Sequence, residues 1–131
     1  MAILETSFVV DFLRKKSEAL ELLNKLEEME PNLYVAVPTI MEVWEGAIKN
    51  TKASGEEKGR VDEFINALIV LPLETNGAKR AAEIVMDAVQ RGDKIETEDA
   101  MIAGIAMTNG ETLVTNDSDY TRIPGLTVLK Y

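Results

Sequence analysis

The feature that most limits the fold of this chain is an alternation: short apolar stretches recur along it, each handed on to a segment with helical periodicity. Apolar runs of strand length lie at Ala2–Leu4 and at residues 34–37, 69–73, 112–115 and 126–129. Between them are helical patterns at 7–14, 17–29, 38–50, 60–68, 76–91 and 97–108. The second pattern is the clearest, with Leu20, Leu22, Leu23 and Leu26 among acids and lysine until Pro31 and Asn32 break it. Pro38 hands the second strand over to a helix, while Gly92 and Asn109-Gly110 close the last two helices. Residues 50–59 are polar with two glycines and predict an exposed loop or helix–helix connection; residues 116–125 are rich in turn formers. Strands this short, separated by helices, predict an α/β fold: a single-domain α/β/α sandwich on a parallel sheet of roughly five strands. Ligands of such sheets bind outside the carboxyl ends of the strands.

With 131 residues there is room for one core, so residues 1–131 are expected to form one domain. The apolar start of the chain carries Glu5 and Asp11 and lacks a basic segment, unlike a signal peptide. With no apolar run of membrane-spanning length either, a cytoplasmic location is expected and no membrane partner. The chain has no cysteine and no histidine. That excludes disulfides, thiolate zinc sites, cysteine nucleophiles and imidazole-based triads. The net charge of −9 is opposite to that of a protein holding nucleic acid by simple attraction. If such a chain acts on a polyanion, something local must reverse the field, and a bound divalent cation is the obvious candidate; otherwise the acidity merely signals solubility.

Several acids fall where the fold would gather them. Glu5 ends the first strand, and Glu42 lies one turn into the helix after the second. Asp99 is in the first turn of the helix before the fourth strand, and Asp117 and Asp119 lie just past that strand. At about 4 Å and an effective dielectric of about 20, each carboxylate pair repels by roughly 4 kcal/mol, so a cluster persists only when protonated or neutralised by a cation. An all-oxygen set selects a hard ion, Mg²⁺ or Mn²⁺. Each acid also has a simpler role. Thr39-x-x-Glu42 is a capping box, Thr97 is a plausible N-cap that leaves Asp99 to offset the helix dipole, and Asp117-Ser118-Asp119 reads as an Asx turn. Glu5 is harder to explain away, because a charge ending a buried strand needs a partner.

On these residues the chain resembles the PIN-domain family. The run Ile3-Leu4-Glu5-Thr6-Ser7-Phe8-Val9-Val10-Asp11-Phe12-Leu13-Arg14 is similar to the family's opening: apolar strand, acid, small polar pair, apolar helix. Pro38-Thr39-Ile40-Met41-Glu42-Val43-Trp44-Glu45-Gly46 resembles the second motif, and Thr97-Glu98-Asp99-Ala100-Met101-Ile102-Ala103-Gly104-Ile105-Ala106 the third. Leu113-Val114-Thr115-Asn116-Asp117-Ser118-Asp119-Tyr120, followed by Ile123-Pro124-Gly125-Leu126, resembles the fourth motif and closing strand. The family usually has aspartate at the first acidic position, where this chain has Glu5.

The resemblance implies a metal-dependent ribonuclease, the toxin of a VapBC-type toxin–antitoxin pair, with RNA as substrate, a small antitoxin as partner and a homodimeric state. It implies Glu5, Glu42, Asp99 and Asp117 as catalytic metal-holding residues, Asp119 as an outer or second-site ligand, and Mg²⁺ or Mn²⁺ as the ion. Thr6, Ser7, Thr115 and Asn116 are then candidates to orient water or phosphate. The densest basic run, Arg14-Lys15-Lys16, is a candidate for RNA-backbone contact. The helix around Ala100 to Met107 is apolar on nearly every side and is expected to be buried twice, against the sheet and in a dimer seam, with Ala103, Gly104 and Ala106 allowing close approach. An exposed part of the Leu20–Leu26 stripe would suit an amphipathic antitoxin helix. Two other classes compete. A Mg²⁺-dependent phosphoacceptor domain needs an aspartate ending the third strand, where this chain has Leu73-Glu74-Thr75, and a late lysine, of which Lys130 is the only one. A PIN-like binding module with weakened or lost catalysis would explain Glu5.

Overall fold

The computed structural model describes residues 2–49 and 54–131. The chain begins with β1 (Ala2–Leu4) and two helices, α1 (Thr6–Leu13) and α2 (Ser17–Met29). Next come β2 (Leu33–Ala36), α3 (Val37–Lys49), α4 (Ser54–Asn66) and β3 (Ile69–Leu71). Helices α5 (Thr75–Gln90) and α6 (Thr97–Asn109) precede β4 (Thr112–Thr115), a 3-10 turn (Ser118–Arg122) and β5 (Val128–Lys130). The strands form one parallel sheet in the order β3-β2-β1-β4-β5. The order reverses direction at β1 and β4, which pair from Ala2 opposite Thr112 to Leu4 opposite Val114. A sheet of this kind opens its crevice where the order reverses, so the residues following β1 and β4 face each other across it.

The sheet separates two cores. On one face α5 and α6 pack against Ile3, Ala36 and Leu113. On the other, α1 to α4 bury Leu4, Phe8, Leu23, Leu26, Val43 and Val61. Helix α6 is buried on nearly all sides, as its composition requires, and within the chain its second partner is α5. A Cβ on Gly104 would stand 2.5 Å from the Gly77 carbonyl oxygen and 3.2 Å from the Ala81 nitrogen, so the two helices touch backbone to backbone.

The element ends depart from the sequence expectation for local reasons. Strand β2 stops at Ala36 because Pro38 presets the first turn of α3. Strand β3 stops at Leu71 because Pro72 has no N–H for the ladder. Residues 54–59, expected as loop, are helical: Glu56 and Glu57 lie in the first turn, where acids offset the dipole, and nothing crowds Gly55 or Gly59. The rest of that expected loop, residues 50–53, lies outside the described residues. Helix α1 ends in a Schellman turn. Lys15, at φ 60°, takes the left-handed position, its N–H donates to the Phe12 carbonyl, and the Lys16 N–H donates to the Asp11 carbonyl.

Candidate metal centre

Glu5 is the first residue past β1 and caps α1. Its N–H donates to the Val114 carbonyl at 3.0 Å, which locks it beside β4. Its Oε1 accepts from Ser7 N at 3.1 Å, from Ser7 Oγ at 2.6 Å and from Thr115 Oγ1. The same hydroxyls serve the opposite loop: Ser7 Oγ accepts from Asn116 N and Thr115 Oγ1 from Asp117 N, both at 3.0 Å. The segments after β1 and β4 are thus stitched together through Glu5, Ser7 and Thr115. Burial raises the Glu5 carboxyl above its usual range, the hydroxyl bonds oppose the rise, and the Asp117 charge adds to it. Oε1 of Glu5 thus accepts three bonds, all from neutral donors.

Glu42 projects from the second turn of α3, and its Oε1 accepts from Thr6 Oγ1 at 2.6 Å. Thr39 lies inside α3 with its hydroxyl 3.2 Å from that of Thr6, so the capping box suggested by Thr39-x-x-Glu42 does not form. Asp99 sits in the first turn of α6, whose N-cap is Glu96 rather than Thr97. The buried Tyr120 hydroxyl donates to Asp99 Oδ1 at 3.0 Å. Asp117 does make the Asx turn: its Oδ1 accepts from Asp119 N at 2.9 Å and opens the 3-10 turn. Asp119 Oδ1 lies 3.2 Å from Arg122 Nη2, and the same guanidinium pairs with Asp93.

These elements bring three carboxylates into one group. One oxygen each from Asp99, Asp117 and Asp119 lies within 4.8 Å of the others, a spacing that suits a shared cation. Glu5 and Glu42 flank the group, and their charges reach it. Partial burial, then Asp117, Glu5 and Glu42, push the Asp99 carboxyl up to about 6 against the opposing Tyr120 bond. Carboxylates this close hold protons or a cation, and an all-oxygen donor set fits a hard divalent ion.

The basic run divides. Arg14 lines a cleft with Glu42, Lys15 lines the groove that Phe12, Leu20 and Phe64 also line, and Lys16 Nζ lies 3.2 Å from Asp11 Oδ1. Sequence reasoning passed over Tyr120, Arg122 and Asp11, which hold Asp99, Asp119 and Asn116. For Asp11 a signal existed: it is the sole charge in the octet Thr6–Leu13.

Comparison with known proteins agrees with this fold. A family model described as PIN domain matches residues 2–126. The tRNA(fMet)-specific endonuclease VapC of Salmonella typhimurium is 34% identical over 91 residues, 69% of this chain and 68% of that protein. The DNA-bound VapBC structure from Salmonella typhimurium superimposes with a TM-score of 0.89 at 26% identity, over 98% of this chain and 96% of that one. VapBC2 from Rickettsia felis, bound to a promoter DNA fragment, does so with a TM-score of 0.90 at 22% identity, over 99% and 98%.

Proposed function

The chain belongs to the PIN-domain family, and on that premise we propose that it is a divalent-metal-dependent endoribonuclease, the toxin of a VapBC-type pair. The observation that carries the metal-dependent reading is the convergence of Asp99, Asp117 and Asp119, with Glu5 and Glu42 beside them, at the sheet's switch point. A Mg²⁺ or Mn²⁺ ion bound there would supply Lewis-acid chemistry, activating a bound water and offsetting charge on the scissile phosphate. Asp99, Asp117 and Asp119 would hold it, with Glu5 and Glu42 contributing from beside them. Tyr120 keeps Asp99 turned toward the site, and Arg122 does the same for Asp119. Thr6 orients Glu42, while Ser7 and Thr115 fix Glu5 and the loop carrying Asn116 and Asp117. Arg14, beside Glu42, is the member of the basic run best placed for an RNA phosphate.

The antitoxin role is assigned to a groove of about 730 Å³ between α2 and α4, lined by Phe12, Leu20, Leu23, Phe64 and Leu68 among others. An amphipathic helix fits such a surface. A homodimer is supported by apolar side chains exposed on α3 (Met41, Ile48) and α5 (Met86, Val89), and light scattering tests it. No helix among the described residues is long and apolar enough to cross a membrane.

The test is cleavage of RNA by the purified chain. Cutting should require Mg²⁺ or Mn²⁺, stop in EDTA, and disappear in Asp99→Asn and Asp117→Asn variants that still fold. Normal cutting by both variants would sink the assignment. One observation favours a second reading, a binding module with weakened catalysis: Oε1 of Glu5 is engaged by neutral donors. RNA retained on the wild-type chain but left uncut would select it.

A further inference from the structure

We propose that Asp11 is a positioning residue for the metal centre, acting through Asn116; this rests on the divalent-cation reading above. Asp11 is only 6% exposed on a helix that is otherwise apolar or hydroxylic. Its Oδ2 accepts from Asn116 Nδ2 at 2.6 Å and from the Tyr131 hydroxyl at 2.7 Å, and its Oδ1 is paired with Lys16. Three separate segments therefore meet at one carboxylate: the turn after α1, the loop after β4 and the residue following β5. Burying a carboxylate is costly, its lysine partner here is half exposed, and an apolar side chain of similar volume usually stabilises a core at least as well. Packing alone therefore does not account for a carboxylate here, whereas orientation of the Asn116 amide does.

Asn116 is held at both ends, its side chain by Asp11 and its N–H by Ser7 Oγ. That fixes the direction in which the backbone enters Asp117, whose own N–H is bound by Thr115. The Asp117 carboxylate must then lie within the 4.8 Å group with Asp99 and Asp119. A small cation that demands near-octahedral geometry is sensitive to such placement. Residues that orient metal ligands from behind typically change affinity by about 10–100-fold when removed.

The experiment measures Mn²⁺ binding to the whole chain, without RNA, by the loss of the free-ion electron paramagnetic resonance signal. Asp11→Leu and Asn116→Ala should each raise the dissociation constant by about tenfold or more. The double variant should be no worse than either single one, because both remove the same link. Asp11→Asn keeps an oxygen for Asn116 and Tyr131 and should restore most of the affinity, whereas Asp11→Leu, which fills the space without an acceptor, should not. A folded Asp11→Leu that binds within twofold of wild type, or single effects that multiply, would overturn the coupling. If Asp11→Leu does not fold, Asn116→Ala, altered in an exposed loop residue, decides alone: affinity within twofold of wild type refutes the proposal. Failure of the wild-type chain to bind Mn²⁺ would remove the cation reading and the coupling together, an outcome distinct from binding that ignores Asp11.

Discussion

The two faces of the sheet are closed in different ways. On the α5–α6 face, Gly77, Ala81, Ala88, Ala100, Ala103, Gly104 and Ala106 are buried, and short side chains bring the helix backbones together. On the α1–α4 face the residues are large, among them Phe8, Phe12, Leu23 and Phe64, and the helices splay to leave the groove of about 730 Å³. The rings of Phe12 and Phe64 meet with centroids 4.7 Å apart and help to line it. The difference teaches a division of labour. The inner side of the tight face is closed by α5 and α6 of the same chain and makes a stiff mount for Asp99, whereas the open face keeps an apolar groove between its helices that a partner can cover. The acidic site lies where they meet: Asp99 comes from the tight face, Glu42 from the open one, and Glu5 and Asp117 from the carboxyl ends of β1 and β4.

The sharpest way to break this contrast is to add one methyl group to each face. Gly104→Ala drives a Cβ into the Gly77 carbonyl, and overpacking of that kind should cost about 3 kcal/mol, a drop in melting temperature on the order of 10 °C. Gly46→Ala on α3 meets nothing within 4 Å and should leave stability unchanged or raise it by up to about 1 kcal/mol. Equal thermal shifts for the two would remove the contrast.

The stiff mount also predicts a pH signature in metal-free protein. Folding raises the Asp99 pKa to about 6, so the folded chain holds a proton that the unfolded chain releases at lower pH. Asp99 is favourable in its neutral form, and stability should fall as pH rises between about 4 and 6, then level off. Allowing for solvent screening, the loss is about 1–2 kcal/mol. Asp99→Asn should flatten that part of the profile and be the more stable protein at pH 7.5. A denaturation series with unchanged slope in the variant would contradict the placement of Asp99 among other charges.

On the open face the effects are smaller. Lys15 holds a left-handed backbone with a side chain attached, so Lys15→Gly should stabilise by about 0.5–1 kcal/mol in chemical denaturation. Leu20→Glu, in the groove wall, should change stability by less than about 1 kcal/mol yet weaken capture of an antitoxin helix at least tenfold, read by titration calorimetry. If Leu20→Glu unfolds the chain instead, the groove is core and the two faces are alike.

Much of this molecule was legible as pattern. The strand–helix alternation, the single parallel sheet and the placing of Glu5, Asp99 and Asp117 near strand or helix ends all follow from local periodicity and chain punctuation. The apolar circumference of α6 announced burial on two sides, but not that α5 supplies the second, because a stripe of small residues accepts a helix of its own chain or of another equally well. Gly55 and Gly59 read as breakers, yet α4 runs through them.

The amino-acid sequence by itself determined which residues could be strand, helix or turn and how many acids would be carried to one end of the sheet, since those choices rest on neighbours a few positions apart. Only the tertiary structure decided that Glu5 Oε1 is taken by Ser7 and Thr115, that Asp119 joins Asp99 and Asp117, and that Asp11 reaches Asn116. Asp11 and Asn116 are 105 positions apart, and Thr115 and Glu5 110. Bonds of 2.6–3.0 Å between such residues depend on how every intervening element packs, which no local periodicity records.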